Sequence, residues 1–110
     1  MIYLLKQQPS SDQLSDMLQA HDSFIKLAID IDRGILAGGG EFHADCEAVL
    51  IEEGSQRSHV WGADWLPARR EVRYSSLINI RSGLNPDMEI QDPKIRQAVE
   101  RVVLRIFGAP

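Results

Sequence analysis

The sequence lacks the features that form disulfide bonds or membrane-spanning helices. Among its 110 residues there is one cysteine, Cys46, so no disulfide can form within the chain. No apolar run reaches the roughly 18 to 20 residues that cross a bilayer. The opening residues, MIYLLKQQPSSD, turn polar too early for a signal peptide. These absences favour a soluble protein of a reducing, cytoplasmic compartment, without a membrane association.

The sequence also has no excess of positive charge. It carries 12 Lys and Arg against 16 Asp and Glu, which gives a net charge of −4. Because the two signs are mixed along the chain, no broad basic surface is expected, which argues against a nucleic-acid-binding function. What remains is an ordinary globular composition, 44% hydrophobic and 25% charged. The length suits one hydrophobic core, so residues 1–110 are predicted to form a single domain.

Helices are predicted near both ends of the chain. Ser10 and Gln13 have the spacing of a capping box and precede an apolar stripe at helical spacing, which predicts a helix over residues 11–21. Asp92 is a suitable N-cap followed by proline, and the apolar residues after it again recur at helical spacing. A second helix is therefore predicted over residues 93–107.

Between these helices the apolar residues alternate with polar ones, which is typical of half-buried strands. The segments with strand character are residues 24–31, 35–37, 41–51, 58–61, 71–81 and 88–90. The predicted fold is α+β, with a mostly antiparallel sheet of about five strands and the N- and C-terminal helices packed on one face. The other face would stay open and would collect the polar side chains of the long strands: Asp30, Asp32, Glu41, His43, Asp45, Glu47, Arg73, Asn79 and Arg81.

The segment GGGEFHADCE, residues 38–47, is the richest in reactive side chains. As a strand it would place Glu41, His43 and Asp45 on one face at spacings of roughly 6.5 to 7 Å. With Asp30 from a neighbouring strand, these side chains could share a divalent metal that polarises a phosphoryl or carbonyl oxygen. The same alternation is equally typical of an ordinary solvated sheet face, which is the simpler interpretation.

Without a metal, the same strand still offers a candidate for acid–base chemistry. His43 between Glu41 and Asp45 could serve as a general base or acid, and Arg81 could hold the anion of a substrate. The candidate catalytic residues are therefore His43, Glu41 and Arg81. Cys46 would point to the core on the opposite side of the strand, which argues against a cysteine nucleophile.

Arginine and tryptophan supply two further candidate binding features. Arg73 and Arg81 on the third long strand suit a phosphate or carboxylate, although cross-strand ion pairs are the commoner use of such residues. Trp61 and Trp65 lie in the segment VWGADW. Clustered tryptophans near a loop form either a binding surface or a lid over the core, and the sequence leaves both alternatives open.

Five segments taken together resemble a known family: GGGEFHADCEAVL, EEGSQ, VWGADW, SLINIR and MEIQDP. They are similar to small single-domain prokaryotic proteins, seen among cyanobacteria, that are known only as a domain of unknown function. The resemblance covers about residues 24–104. It implies a soluble cytoplasmic protein of one domain, and it brings no activity, cofactor or catalytic residue.

The leading functional hypothesis is a small binding or interaction domain, which forms a homo-oligomer because small sheets with exposed edges pair readily. One alternative is a metal-dependent hydrolase of phosphoester type that uses Glu41, His43, Asp45 and Asp30, with a divalent metal as cofactor. Another alternative, a protein partner in a toxin–antitoxin-like pair, fits the size and charge of the chain.

Overall fold

The computed structural model describes residues 1–108. In this part of the chain the elements are β1 (Tyr3–Leu5), α1 (Ser11–Met17), β2 (Ile25–Asp30), β3 (Ile35–Gly38), α2 (His43–Glu52), β4 (Val60–Leu66), β5 (Glu71–Arg73) and α3 (Pro93–Phe107). Short 3-10 turns occupy Arg57–His59 and Leu77–Asn79. None of the described helices is both long and apolar enough to cross a membrane. The predicted α+β class is confirmed.

The five strands form one antiparallel sheet in the order β1-β3-β2-β4-β5. The central strand, β2, pairs on one side with β3 through a tight hairpin and on the other side with β4. The chain between β2 and β4 includes both β3 and α2. This crossover places the start of α2 over the middle of the sheet, where the candidate site lies.

The first face of the sheet is covered by α1 and α3, as expected for the N- and C-terminal helices. Leu27 and Ile29 of β2 belong to the same buried cluster as Met17 of α1 and Val99 and Val103 of α3. The cluster also contains both tryptophans of β4, each 2% exposed. Of the two alternatives for the tryptophans, a binding surface is excluded, and they belong to the main core.

The second face of the sheet is covered by α2, so the expectation of an open polar face is wrong. Ala28 of β2, Val60 of β4 and the α2 residues Cys46 and Leu50 form a second buried cluster on this side. Residues 41–51, predicted as a strand, are helical from His43. The face that would have gathered solvated polar side chains is therefore largely an apolar interface between a helix and the sheet.

The burial pattern of α2 fits a helix and not a strand. Cys46 and Leu50 are buried whereas Ala48 between them is exposed, and a strand would place all three on one face. Gly54 follows the C-cap Glu53, and its φ of 112° lies in the left-handed region that favours glycine. The N–H of Ser55 donates to the carbonyl of Leu50 at 2.9 Å and that of Gly54 to Ile51 at 3.0 Å, which together form a Schellman motif. Residues 53–56, which would be a hairpin loop between the predicted strands 41–51 and 58–61, are thus a helix C-cap.

The remaining differences lie at element boundaries. The strand predicted over residues 71–81 ends at Arg73, and residues 74–92 form an irregular stretch, here called the connecting segment. Within it, the predicted edge strand over 88–90 is reduced to an isolated bridge between Ser75 and Glu89. Helix α1 ends at Met17 rather than at residue 21, and β1 was not predicted.

Candidate functional site

A cavity of about 560 Å³ lies where the start of α2 meets β2, β4, β5 and the connecting segment. Four side chains with ionisable groups line it: Lys26, His43, Asp64 and Arg73. The rest of the lining is mainly apolar or small. A cavity of this size is typical of small-ligand sites, which commonly measure about 300 to 1,000 Å³.

The sheet register places the charged residues of the cavity in one row. Lys26 of β2 is opposite Asp64 of β4, and Asp64 is opposite Arg73 of β5. Side chains directly opposite each other in an antiparallel pair project from the same face. Lys26 shares its parity with Ala28, which packs against α2. The row therefore lies on the α2 side of the sheet.

Asp64 joins His43 and Arg73 through its two carboxylate oxygens. Its Oδ1 lies 2.8 Å from Nε2 of His43, and its Oδ2 accepts from Nη2 and Nε of Arg73 at 3.0 and 3.2 Å. The side chains of His43 and Asp64 are only 12% and 10% exposed. Both oxygens of the carboxylate are thus engaged, and the orientation of Asp64 is fixed from both sides.

The position of His43 fixes which ring nitrogen carries the proton. Its Nε2 lies 3.1 Å from the carbonyl oxygen of Ala63 in addition to the carboxylate of Asp64. Both of these groups are acceptors, so Nε2 is the protonated nitrogen in the neutral ring as well as in the charged one. Nδ1 is left as the nitrogen that can exchange a proton with a bound molecule.

The mouth of the cavity is apolar and exposed. Phe42, Leu77 and Met88 line it, and they are 61%, 72% and 44% exposed. Lys26 approaches this mouth with its ammonium nitrogen 5.6 Å from the centre of the Phe42 ring. An exposed group of large apolar side chains beside a polar wall is a common property of ligand sites.

The N-terminus of α2 adds positive potential to the same wall. Phe42 is the N-cap and supplies no side-chain hydrogen bond to the first turn. Ala44, the second residue of the helix, lines the cavity. Because the first N–H groups of a helix lack intrahelical acceptors and carry the positive end of its dipole, this end of α2 favours a bound anion.

The connecting segment reaches the cavity because two buried asparagines hold it in place. Asn79 accepts from the N–H of Gly62 at 2.7 Å and donates to the carbonyls of Gly62 and Met88 at 3.0 and 3.1 Å. Asn85 donates to the carbonyls of Asn79, Asp87 and Glu89 at 2.8 to 3.0 Å. The asparagine side chains therefore replace the strand pairing that the segment lacks.

Gly62 permits this close approach because it has no side chain. A Cβ at this position would lie 2.5 Å from Cβ of Ser76. Ser76 is buried and lines the cavity, and its hydroxyl accepts from the N–H of Ile78. The wall formed by Ser76 thus depends on a glycine in the facing strand.

Two of the residues predicted to share a site with His43 lie on the surface around α2. Glu41 is exposed, and its backbone carbonyl lies 3.2 Å from Nε2 of His21. Asp45 is exposed on the first turn of α2. The expected grouping depended on strand periodicity, and in a helix Asp45 is rotated by about 200° from His43.

Asp30 is fully buried at the far end of β2 from Lys26. Its Oδ1 accepts from the N–H groups of Asp32 and Arg33, both at 3.0 Å, and so stabilises the β2–β3 turn. Lys26 and Asp30 are separated by about 13 Å along a strand. Among residues 1–108, no group of three or more His, Cys, Asp or Glu side chains could hold a metal ion.

Arg81 lies apart from His43. Its guanidinium stands 3.8 Å from the centre of the Trp61 ring, and it donates to the carbonyls of Ser58, at 2.9 Å, and Val60. Burial lowers the pKa of Arg81. With Glu47 it lines a separate cavity of about 370 Å³. In the structure Arg81 holds the start of β4 and does not face the 560 Å³ cavity.

Sequence reasoning missed Asp64, the residue that organises the site. No strand was predicted over residues 62–70, although Trp61, Ala63 and Trp65 alternate with Gly62 and Asp64 in the pattern of a strand. This alternation of side chains, which continues to Leu66, is the signal in the sequence that indicates β4. It would have placed Asp64 on a face of the sheet with Lys26.

Comparison with known protein families gives a match. A family model described as "Protein of unknown function (DUF5674)" matches residues 3–106. No curated protein and no solved structure matches the chain. The expected resemblance to a family of unknown function is confirmed and extends beyond residues 24–104, while its prokaryotic distribution stays a prediction.

Proposed function

Because the chain belongs to the DUF5674 family, whose function is unknown, we propose a function from its geometry: it binds a small ligand that has an apolar body and an anionic group. The ligand would occupy the 560 Å³ cavity. One observation carries this proposal, the combination of an apolar mouth with a positively charged inner wall in the same cavity.

The charge of the wall is opposite to that of the chain. The chain has a net charge of −4, yet the cavity is lined by two cationic side chains, Lys26 and Arg73, and by one carboxylate, Asp64. Both oxygens of Asp64 are engaged by His43 and Arg73. Lys26 makes no ion pair among residues 1–108. Its ammonium group is therefore available to a carboxylate, sulfonate or phosphate, next to the positive end of α2.

The apolar part of the ligand would be held by the mouth. Phe42, Leu77 and Met88 leave 44 to 72% of their surface exposed. Covering such surface stabilises a complex by about 25 cal/mol for each Å² removed from water. The mouth therefore contributes affinity, and the charged wall orients the ligand.

The proposal is tested with the fluorescent anion 8-anilinonaphthalene-1-sulfonate as the probe. We expect saturable binding at one site, and weaker binding of N-phenyl-1-naphthylamine, which has the same rings and no sulfonate. Lys26→Gln should weaken sulfonate binding about 10- to 150-fold, since a hydrogen bond to a charged group contributes about 1.5 to 3 kcal/mol. Leu77→Ala should weaken the binding of both probes.

Matched controls are available in the chain. Lys94 on α3 and Leu84, 63% exposed in the connecting segment, lie outside the cavity. Lys94→Gln and Leu84→Ala should leave both affinities unchanged. Binding without saturation, or an equal loss in Lys26→Gln and Lys94→Gln, would exclude the cavity as the anion site.

A further inference from the structure

We propose that His43 is a general acid–base residue, and that the cavity hydrolyses small carboxylic esters that carry an anionic group. This inference rests on the proposed function, because it uses the same cavity to hold the anionic end of the substrate. It differs from the metal-dependent hydrolase considered from the sequence, since the partners of His43 are Asp64 and Arg73 and the attacking group is water.

The hydrogen bonds of His43 supply the first part of the argument. Nε2 lies between two acceptors, Oδ1 of Asp64 at 2.8 Å and the carbonyl oxygen of Ala63 at 3.1 Å. This arrangement keeps the proton on Nε2 and leaves the lone pair of a neutral ring on Nδ1. An aspartate that fixes the tautomer of a histidine in this way is the orienting element of many hydrolytic sites.

Arg73 supplies the second part. It donates to the other oxygen of Asp64 from Nη2 at 3.0 Å and from Nε at 3.2 Å. Asp64 is 10% exposed and cannot rotate without breaking one of these contacts. Asp64 is therefore a positioning residue for His43, and Arg73 is in turn a positioning residue for Asp64.

The location of His43 supplies the third part. Its side chain is 12% exposed, and the residue lines a cavity that also contains Lys26 and the first turn of α2. A general base shielded from bulk water and next to cationic groups suits a reaction in which negative charge develops on an oxygen. Lys26 would hold the permanent anion of the ester, and the positive end of α2 would face the oxyanion.

The reaction follows from these positions. Nδ1 of His43 takes a proton from a water molecule as the water oxygen bonds to the ester carbonyl carbon, and the carbonyl π electrons move to its oxygen. When this oxyanion reforms the carbonyl, the bond between the carbon and the alcohol oxygen breaks. The alcohol oxygen receives the proton from Nδ1, so the products are a carboxylic acid and an alcohol and His43 returns to its starting state.

The inference is tested with mono-4-nitrophenyl glutarate, an anionic ester, and 4-nitrophenyl butyrate, its neutral counterpart. We expect saturable release of nitrophenolate, with a higher kcat/KM for the anionic ester. His43→Gln should lower kcat about 100-fold, the usual scale of a general base. His59→Gln, which changes a histidine outside the cavity, should leave kcat unchanged.

Asp64→Asn tests the positioning role separately. We expect kcat to fall while KM changes little, because the asparagine amide can hold the ring in the wrong tautomer. The ¹⁵N chemical shifts of the His43 ring should report the Nε2–H tautomer in the wild type and a changed population in the variant. A purely structural role of Asp64 would leave this tautomer signature unchanged and would overturn the assignment.

The two proposals fail in different ways. If the wild type binds the anilinonaphthalene sulfonate but hydrolyses neither ester faster than free imidazole at equal concentration, the catalytic inference is overturned and the binding function stands. Equal rates of ester hydrolysis by the wild type and by His43→Gln would also overturn the catalytic inference. If the sulfonate does not bind at one site, the proposed function itself is overturned. Saturable sulfonate binding by His43→Gln would confirm that this variant is folded.

Discussion

Cys46 illustrates how burial sets the chemistry of a single residue. Its thiol is fully buried between α2 and the sheet, and burial raises its pKa to about 11 although a backbone hydrogen bond with Gly40 acts in the opposite direction. The thiolate is the reactive form of cysteine. Cys46 therefore functions as a small apolar core residue, as predicted from the sequence.

Cys46 should consequently resist alkylation in the folded protein. At pH 8, about one thiol in a thousand is ionised when the pKa is about 11, and that fraction is also shielded from reagent. We expect iodoacetamide to label the native protein far more slowly than the same protein in guanidinium chloride. Mass spectrometry of quenched samples measures both rates, and rapid labelling of the native protein would contradict the buried placement.

The prediction for Cys46 was correct although the element that contains it was assigned incorrectly. Strand parity and a helical spacing of four residues to Leu50 both place its side chain in the core. The same is not true of Glu41 and Asp45, whose grouping with His43 depended on the strand alone. Burial of an apolar residue could be predicted without the correct element, whereas contacts among polar residues could not.

At the scale of elements, residues 43–52 were ambiguous because their sequence satisfies two periods. Polar and apolar residues alternate from Glu41 to Glu47, yet Cys46 and Leu50 also fit a helix, and Gly54 is a suitable helix end. Packing of Cys46 and Leu50 on the sheet decides between them in favour of the helix. The helix α3 was predicted correctly because its cap at Asp92, its apolar stripe and Gly108 all agree.

The connecting segment is an element held by side chains rather than by backbone pairing. No local pattern in residues 74–92 predicts that Asn79 bonds to the backbone of Gly62, which is distant along the chain. This long-range contact is also why the cavity wall of Ser76 and Leu77 could not be predicted from the sequence.

Replacing Asn79 should therefore destabilise the whole fold. Asn79→Ala leaves buried N–H and C=O groups of Gly62 without partners, which should cost about 2 to 3 kcal/mol of unfolding free energy. Gln91 is a matched amide whose side chain bonds on the surface, and Gln91→Ala should change stability by less than about 0.5 kcal/mol. Urea unfolding measures both values, and equal stabilities of the two variants would show that the Asn79 bonds contribute nothing.

At the scale of the whole molecule, the sheet is covered on both faces, which explains the environment of the two tryptophans. Trp61 and Trp65 lie on the α1 and α3 side, and the ring of Trp65 stacks on Phe107 with centres 5.4 Å apart. The edge strands β1 and β5 have three residues each. Short edge strands are a common means of limiting edge-to-edge pairing. They weaken the argument that exposed sheet edges pair, and the homo-oligomer stays a prediction.

The tryptophan emission should report this enclosed core. Both side chains are 2% exposed, so we expect native emission at shorter wavelength than that of the urea-unfolded chain and weak quenching by acrylamide. The spectrum should not change with protein concentration, since neither ring reaches the surface. Strong quenching of the native protein, or a concentration-dependent shift, would place a tryptophan at a surface.

The pairing of β4 with β2 also has a consequence for the kinetics of folding. Lys26 and Asp64 meet only when β4 joins β2, after a loop that contains β3 and α2 has closed. Contacts between distant residues form late because the entropy of loop closure opposes them. The β2–β3 hairpin and the helices can form from neighbouring residues, but the cavity has no local precursor. A partly folded or nascent chain therefore cannot bind a ligand in this cavity, and a ligand bound there would report that folding is complete.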